Sequence, residues 1–495
     1  MKADVGLVGL AVMGQNLVLN MNDHGYAVAV HNRSPGPIHD FLAGSASSRR
    51  PEPGKAGVLG AETVEDFVAL LEKPRKIILL VKAGAAVDET IAKLLPFLEA
   101  GDLLIDGGNS FWVDTERRAG ELAAKGLRFI GTGVSGGEEG ARKGPSLMPG
   151  GDRSAWPLVQ GLFEAIAAKT PEGESCCAWM GKGGAGHFVK MVHNGIEYGD
   201  MELIAETYQL MRELLRLDYP TMAKTFGDWN RGELESYLVE ITAGILEVKD
   251  EGGAPLVEKI LDAAGQKGTG KWTSQEALDS GIPLTLITEA VYARALSALV
   301  DERRAASTVL AGPDEKARRA LVAPIPEAEL IEDLRRALLA AKIVSYAQGF
   351  MLLREASKER NWELDFGSIA LTWRGGCIIR SAFLGRIKEA FDDRGDLPSL
   401  MVDGYFSKVL GECQASLRRV VALAAGAGLP VPAISAALAF YDGYRAARLP
   451  ANLIQAQRDW FGAHTYERTD RPRGEFFHTD WIGSGAAAVS GTYNA

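Results

Sequence analysis

Over residues 1–180 the chain alternates short apolar runs with stretches of helical spacing, and this alternation restricts the possible folds more than any other feature. The runs Val5–Gly9, Ala27–His31, Ile77–Lys82, Leu103–Asp106 and Leu127–Gly131 show no period-two pattern. Unbroken apolar runs suit strands covered on both faces, as in a parallel sheet flanked by helices. Strand-then-helix repetition predicts a doubly wound α/β domain, with ligands at the carboxyl ends of the strands. After Gly181-Lys182-Gly183-Gly184 the pattern changes. From Ala185 to about Arg448 the apolar spacing is mostly helical, with long segments at Ala185–Leu217 and Asp333–Lys358. Tyr198-Gly199-Asp200-Met201 aligns with Gln348-Gly349-Phe350-Met351, and Trp229-Asn230-Arg231-Gly232 with Trp373-Arg374-Gly375-Gly376. The two offsets are nearly equal, as in a duplicated helical unit. From about Ala451 onward the chain is rich in Gly, Arg and aromatics and lacks helical periodicity. An apolar tail of that kind is expected to lie on another surface, such as that of a second subunit. The expected organisation is residues 1–180, 181–450 and a tail 451–495: an α/β domain, a large all-α domain and an extended C-terminal tail.

Composition narrows the functional classes. With 54 Lys+Arg against 64 Asp+Glu the 495-residue chain carries a net charge of −10, which argues against a nucleic-acid partner. Hydrophobic residues at 46 % and charged residues at 24 % exclude a disordered or disulfide-scaffold protein. Cys176, Cys177, Cys377 and Cys413 show neither metal-ligand nor redox spacing, so reduced thiols in the cytoplasm and no metal site are expected. The first apolar run follows Asp4 and is too short and glycine-broken for a signal peptide. The uncharged stretch from Val420 to Tyr441 is long enough to span a bilayer, but Gly426, Gly428, Pro430 and Pro432 interrupt it. Two soluble helices around a turn are expected there, and no membrane segment.

Several strand ends carry chemistry. Gly9-Leu10-Ala11-Val12-Met13-Gly14 follows the first strand and opens a predicted helix to about His24. It is a variant of the dinucleotide fingerprint of Rossmann-like domains: Gly9 permits the tight turn, and the helix N-terminus offers N–H groups to a pyrophosphate. Ala11 stands where the second Gly would be, which predicts a cofactor seated slightly further out. The second strand ends in His31-Asn32-Arg33-Ser34 without the acid that binds a ribose 2′-hydroxyl. Arg33 can instead clamp a 2′-phosphate with Asn32 and Ser34 donating, which favours NADP over NAD. Val81-Lys82-Ala83 and Asp106-Gly107-Gly108-Asn109-Ser110 fall on the same rim, with Asn109 placed for the nicotinamide half or a substrate hydroxyl.

In Gly133-Val134-Ser135-Gly136-Gly137-Glu138-Glu139-Gly140 the glycines allow close backbone approach, and the N–H groups with the Ser135 hydroxyl suit a carboxylate or phosphate. The segment from Gly186 to Tyr198 is the most informative. On a helix Lys190, His193, Asn194 and Glu197 stand at i, i+3, i+4 and i+7, a single polar stripe edged by Tyr198 and flanked by Phe188, Val189, Met191, Val192 and Ile196. Burial would lower the Lys190 pKa and raise that of Glu197, suiting both to proton transfer near neutral pH. Gln266-Lys267-Gly268-Thr269-Gly270-Lys271 is a glycine-broken loop suited to phosphate, and Arg294 lies in a predicted helix at Val291–Leu299. The tail holds Arg458 and His464, whose convergence on these groups spacing does not decide.

Taken together, these segments resemble the 6-phosphogluconate dehydrogenase family. The resemblance rests on the runs from Gly9, Asn32, Asp106 and Val134, on Gly-Pro-Ser-Leu-Met-Pro-Gly-Gly from Gly144, and on Lys-Met-Val-His-Asn-Gly-Ile-Glu-Tyr-Gly-Asp-Met from Lys190. Trp-Arg-Gly-Gly-Cys-Ile-Ile-Arg-Ser from Trp373 and Gln-Arg-Asp-Trp-Phe-Gly-Ala-His-Thr-Tyr-Glu from Gln457 extend it in family order. It implies oxidative decarboxylation of 6-phosphogluconate to ribulose 5-phosphate with NADP, Lys190 as general base and Glu197 as general acid. Ser135, Gly136, Gly137, His193, Asn194 and Asn109 are implied to hold the sugar acid. Tyr198, Lys267, Thr269 and Arg294 are implied at its phosphate, joined by Arg458 and His464 of the second chain of a homodimer. The rival readings are another β-hydroxyacid dehydrogenase, whose shorter chains have no use for the phosphate residues, and a non-catalytic NADPH-binding regulator, which would tolerate loss of Lys190 or Glu197.

Overall fold

In the computed structural model, which describes residues 2–51 and 56–483, the chain forms two compact units, Met1–Leu438 and Ala439–Ala495. The first unit opens with a seven-stranded sheet: β1 (Val5–Val8), β2 (Val28–His31), β3 (Val58–Gly60), β4 (Lys76–Leu79), β5 (Leu103–Asp106), β6 (Arg128–Ser135) and β7 (Ser146–Gly151). The order is β3-β2-β1-β4-β5-β6-β7, parallel except for the antiparallel β6–β7 pair. The five predicted strands are all present. β3 and β7 were not expected, and β7 adds one antiparallel strand to an otherwise parallel sheet.

Side chains alternate across the strands, so each face of the sheet buries its own cluster. Leu7, Val30 and Ile105 pack with Val18 and Met21 of the helix Val12–Asp23 and with Val159 and Phe163. Val8, Ile77, Leu79 and Leu104 pack on the other face with Phe67, Ile91 and Phe129. With both faces dry, the parallel strands read as continuous apolar runs, which is why they were visible in the sequence.

The rest of the first unit is helical. The long helices Ala185–Glu213 and Glu327–Arg360 meet through small residues: a Cβ on Gly199 would fall 2.6 Å from Ser345 Oγ, and one on Gly349 2.5 Å from Ile196 Cδ1. A buried Lys342–Asp200 ion pair at 2.6 Å joins the same two helices. Each long helix is followed by two shorter ones, Tyr219–Trp229 and Tyr237–Glu247 in one case, Phe366–Thr372 and Leu384–Asp393 in the other. The linkers meet at Ser236 and Ser381, where the Tyr237 N–H donates to Arg380 O at 3.1 Å and the Ala382 N–H to Glu235 O at 3.0 Å. The repeated element order and this reciprocal contact are what a duplicated unit produces. The uncharged stretch from Val420 to Tyr441 falls in two helices, Gly404–Ala427 and Pro432–Arg445, separated by Gly428 at φ +66°. No helix among the described residues is long and apolar enough to cross a membrane.

The second unit departs from the expected irregular tail. Residues Ala451–Gly462 form a helix, and β8 (Tyr466–Glu467) pairs with β9 (Phe476–Phe477). Fully buried Asp459 organises it, accepting from the Thr465 N–H, the Thr479 N–H and Trp481 Nε1 at 3.0, 3.0 and 2.8 Å. Leu453, Ile454, Trp460 and Phe461 remain mostly exposed on this unit.

Candidate active site

A dinucleotide cleft opens at the carboxyl ends of β1, β2 and β4. It encloses about 610 Å³ and is lined by Gly9, Ala11, Asn32, Arg33, Ser34, Val81 and Lys82 among others. Gly9 sits at φ +108°, and a Cβ there would fall 2.3 Å from Leu80 O, so only glycine allows this crossing. Gly14 packs tightly against the turn, because a Cβ would sit 1.9 Å from Gly9 O. Leu10 is buried and donates its N–H to Asn32 Oδ1 at 3.2 Å, so Asn32 braces the turn. The helix Val12–Asp23 has no side-chain cap at its N-terminus, where Ala11 and Val12 are exposed and Met13 is half-buried. Free N–H groups at that end are the anion site the fingerprint requires.

Arg33 and Ser34 are exposed at the end of β2, and no acid occupies that strand end. Asn32 Nδ2 donates to Ser34 O at 3.2 Å, which holds the loop around Arg33. Two carboxylates that sequence reasoning missed, Glu62 and Glu89, also line the cleft; His39 engages Glu62 at 2.8 Å. They come from outside the motif and are visible only in three dimensions. Gly9 of the fingerprint and Arg33 thus line one cleft. Ala83 follows the lining residues Val81 and Lys82, and Asn109 is exposed on the loop after β5.

The polar stripe lies on the helix Ala185–Glu213 as its spacing predicts. Its first residues are buried: Lys190 at 6 %, His193 at 0 % and Asn194 at 9 % exposure. Lys190 Nζ donates to Asn194 Oδ1 at 2.7 Å and to Ser135 Oγ at 3.1 Å, and lies 3.4 Å from His193 Nδ1. The other ring nitrogen of His193 is 3.2 Å from Ser135 Oγ, and the ring packs edge-on to Trp373 at 5.6 Å. Glu197, half-buried, stands 3.9 Å from His193. The Gly-rich loop is joined to this cluster through Ser135 at the end of β6, with Gly136 at φ +115° and Gly137 at φ +60°.

Burial sets the electrostatics. It lowers the Lys190 pKa, which the nearby Glu197 carboxyl partly restores. It raises the Glu197 pKa, against the pull of Lys190, Arg294 and Lys267. It pushes the His193 pKa well down, with Lys190 adding repulsion, so the imidazole is held neutral. An amine and a carboxyl whose pKa values are drawn towards each other can serve as base and acid in opposite halves of a reaction.

The phosphate-end candidates gather one helical turn away. Thr269 opens the helix Thr269–Asp279 and accepts from Asn194 Nδ2 at 3.0 Å. A Cβ on Gly270 would fall 2.5 Å from the Tyr198 ring, and the Arg294 guanidinium lies 3.6 Å over that ring. Arg294 also donates to Gly265 O at 3.1 Å, which ties it to the loop carrying exposed Lys267. Its helix is Thr285–Ser297, six residues longer at the start than predicted. Arg458 and His464 belong to the second unit: Arg458 donates to Gln455 Oε1 at 3.1 Å, and the His464 ring packs edge-on to Phe461. All four cysteines are free and buried, and no group of three or more His, Cys, Asp or Glu among the described residues is placed to hold a metal ion.

A doubly wound sheet, an uncapped fingerprint helix and a buried lysine beside a neutral histidine define a dinucleotide-dependent dehydrogenase. The comparisons specify which. Residues 4–181 match the family model described as the NAD binding domain of 6-phosphogluconate dehydrogenase, and residues 186–481 its C-terminal domain. Decarboxylating 6-phosphogluconate dehydrogenases of Mus musculus and Haemophilus ducreyi are 56 % and 57 % identical, the first over the whole of both chains, the second over all of this chain and 99 % of the relative. The Plasmodium falciparum 6-phosphogluconate dehydrogenase, solved with its cofactor NADP+ and its substrate 6-phosphogluconate, is 44 % identical, with a TM-score of 0.89 over 97 % of this chain and 100 % of that one. The chain belongs to the 6-phosphogluconate dehydrogenase family.

Proposed function

We propose that this chain oxidatively decarboxylates 6-phosphogluconate to ribulose 5-phosphate and CO2 with reduction of NADP+. The observation that carries this reading is the buried Lys190–Ser135–His193–Asn194 cluster with Glu197 at its rim. Bound in the cleft, NADP+ supplies the hydride acceptor. Lys190, its pKa lowered by burial, takes the proton of the substrate 3-hydroxyl as the C3 hydrogen leaves with its electron pair. Protonated Lys190 then faces the new carbonyl oxygen and stabilises the oxyanion that forms as the C1–C2 bond breaks and CO2 leaves. Glu197, its pKa raised by burial, gives its proton to the carbon that has lost CO2, C1 of the resulting enediolate. Ser135, Gly136, Gly137, His193, Asn194 and Asn109 hold the sugar acid, while Tyr198, Lys267, Thr269 and Arg294 hold its phosphate.

The exposed apolar residues of the second unit support the remaining part of the reading. The chain acts as a homodimer in which Arg458 and His464 of one subunit complete the phosphate site of the other. The functional divisions are a cofactor domain 1–180, a helical domain 181–450 and this exchanged segment 451–495. Free, buried cysteines accord with a cytoplasmic enzyme.

Purified protein given 6-phosphogluconate and NADP+ is expected to raise the reduced-nicotinamide absorbance with equimolar CO2. Absence of both would overturn the proposal, and absorbance without CO2 would point to a simple β-hydroxyacid dehydrogenase. For Arg33→Ala, KM for NADP+ is expected to rise at least tenfold, the worth of one charge-assisted clamp, with little change for NAD+. An equal rise for both cofactors would remove Arg33 from the 2′-phosphate.

A further inference from the structure

The helix Thr269–Asp279 is held at two places. At its start Thr269 meets Asn194, and one turn on Thr273 Oγ1 donates to Met191 O at 2.8 Å. Two turns after Thr269, buried Glu276 accepts from Trp112 Nε1 at 3.2 Å through one oxygen and from Arg360 through the other. Trp112 begins the helix that follows the Asn109 loop, and Asp106 ties that loop at its start. Asp106 accepts from the Gly108 N–H at 3.0 Å and from Ser110 Oγ at 2.6 Å. Next to Trp112, Phe111 packs on Trp272 of the Thr269–Asp279 helix at 5.1 Å.

Arg360 fills an aromatic box. Its guanidinium lies 4.5 Å from the Trp112 ring, 5.5 Å from that of Trp362 and 5.6 Å from that of Phe188, and the three rings pack edge to face. Charge on Glu276 inside this box is affordable only because Arg360 and the Trp112 N–H meet it. None of these side chains belongs to the reacting cluster. What they share is position: Trp112 begins the helix that follows the Asn109 loop, and Glu276 lies on the helix that begins at the phosphate end.

We propose that Trp112, Glu276 and Arg360 are positioning residues that set the span between the Asn109 loop and the Thr269 phosphate end, and so fit the site to one length of phosphorylated sugar acid. The inference rests on the substrate reading given above. Thr269, Tyr198, Lys267 and Arg294 still form the phosphate site when the tie is cut. What is lost is the alignment of the far end of the chain, and a misplacement near 1 Å is costly there.

Trp112→Phe keeps a ring and removes the N–H. It is expected to lower kcat/KM for 6-phosphogluconate by about tenfold or more, the scale of a lost hydrogen bond to a charged group. KM for NADP+ and the inhibition constant of inorganic phosphate against 6-phosphogluconate are expected to stay within twofold of the parent. Glu276→Gln, which keeps the shape and one accepting oxygen but replaces the other with a donating NH2, is expected to fall between the parent and Trp112→Phe, and carries the same test should Trp112→Phe not fold. Unchanged kcat/KM in both variants would overturn the proposal, as would a parallel loss of NADP+ and phosphate binding, which marks a merely structural contact. A parent enzyme inactive on 6-phosphogluconate would instead sink the substrate reading.

Discussion

Lys190→Met is expected to lower kcat by about a thousandfold, the scale of a lost general base, while NADP+ still binds with the parent affinity. The separation follows from position: Lys190 lies in the Ser135–Asn194 cluster, away from the cleft lined by Gly9, Arg33 and Lys82. Methionine fills similar volume without the desolvation cost that lowers the Lys190 pKa, so the fold should be retained. The pH profile identifies the role. A base must be neutral to accept the hydroxyl proton, so kcat/KM of the parent falls as pH drops through the Lys190 pKa, which burial has moved below the ordinary lysine value. Glu197 acts after CO2 has left and must be protonated, so its ionisation appears in kcat, which falls as pH rises through a value moved above the ordinary carboxyl range. The two groups are coupled, and the limbs report the pair. In Lys190→Met the acid limb of kcat/KM should disappear from the residual rate. Turnover within tenfold of the parent, or an unchanged acid limb, would remove Lys190 as the base.

The sequence shows this cluster clearly because one helix carries most of it. Lys190, His193, Asn194 and Glu197 are three or four residues apart, and helical geometry alone puts them on one stripe. Parallel strands were legible for a similar reason, since burial on both faces leaves no alternation to misread. β7 was not, because Pro149, Gly150 and Gly151 read as a turn, although Pro149 sits in register with Thr132. The helix Ala451–Gly462 was hidden in a long glycine-rich window. Leu453 and Ile454 recur as Trp460 and Phe461 seven positions later, a helical repeat that averaging over the whole tail removes. The box of Trp112, Glu276 and Arg360 lay beyond any local reading. Its members come from three distant helices, and no pattern in the sequence marks a contact that only the fold creates.

The net charge of −10 frames the second large effect. An acidic chain that binds a doubly anionic phosphate must gather cations locally, and Lys267 and Arg294 are the ones that the first unit brings near Glu197 and Tyr198. If Arg458 of the second chain supplies a further charge, Lys190→Met and Arg458→Ala should each be nearly inactive alone, yet active when mixed. Unfolding the two variants together and refolding them at equal concentration gives hybrid dimers in about half of the population by random pairing. In each hybrid, the site with native Lys190 receives native Arg458 from the other chain, and its twin receives neither. Half of the dimers are hybrids and each restores one of its two sites, so the mixture is expected to regain about a quarter of the parent activity. Were each tail to serve its own subunit, every site in the hybrid would lack one of the two residues. The mixture would then stay as inactive as its components, and the exchanged tail would be excluded.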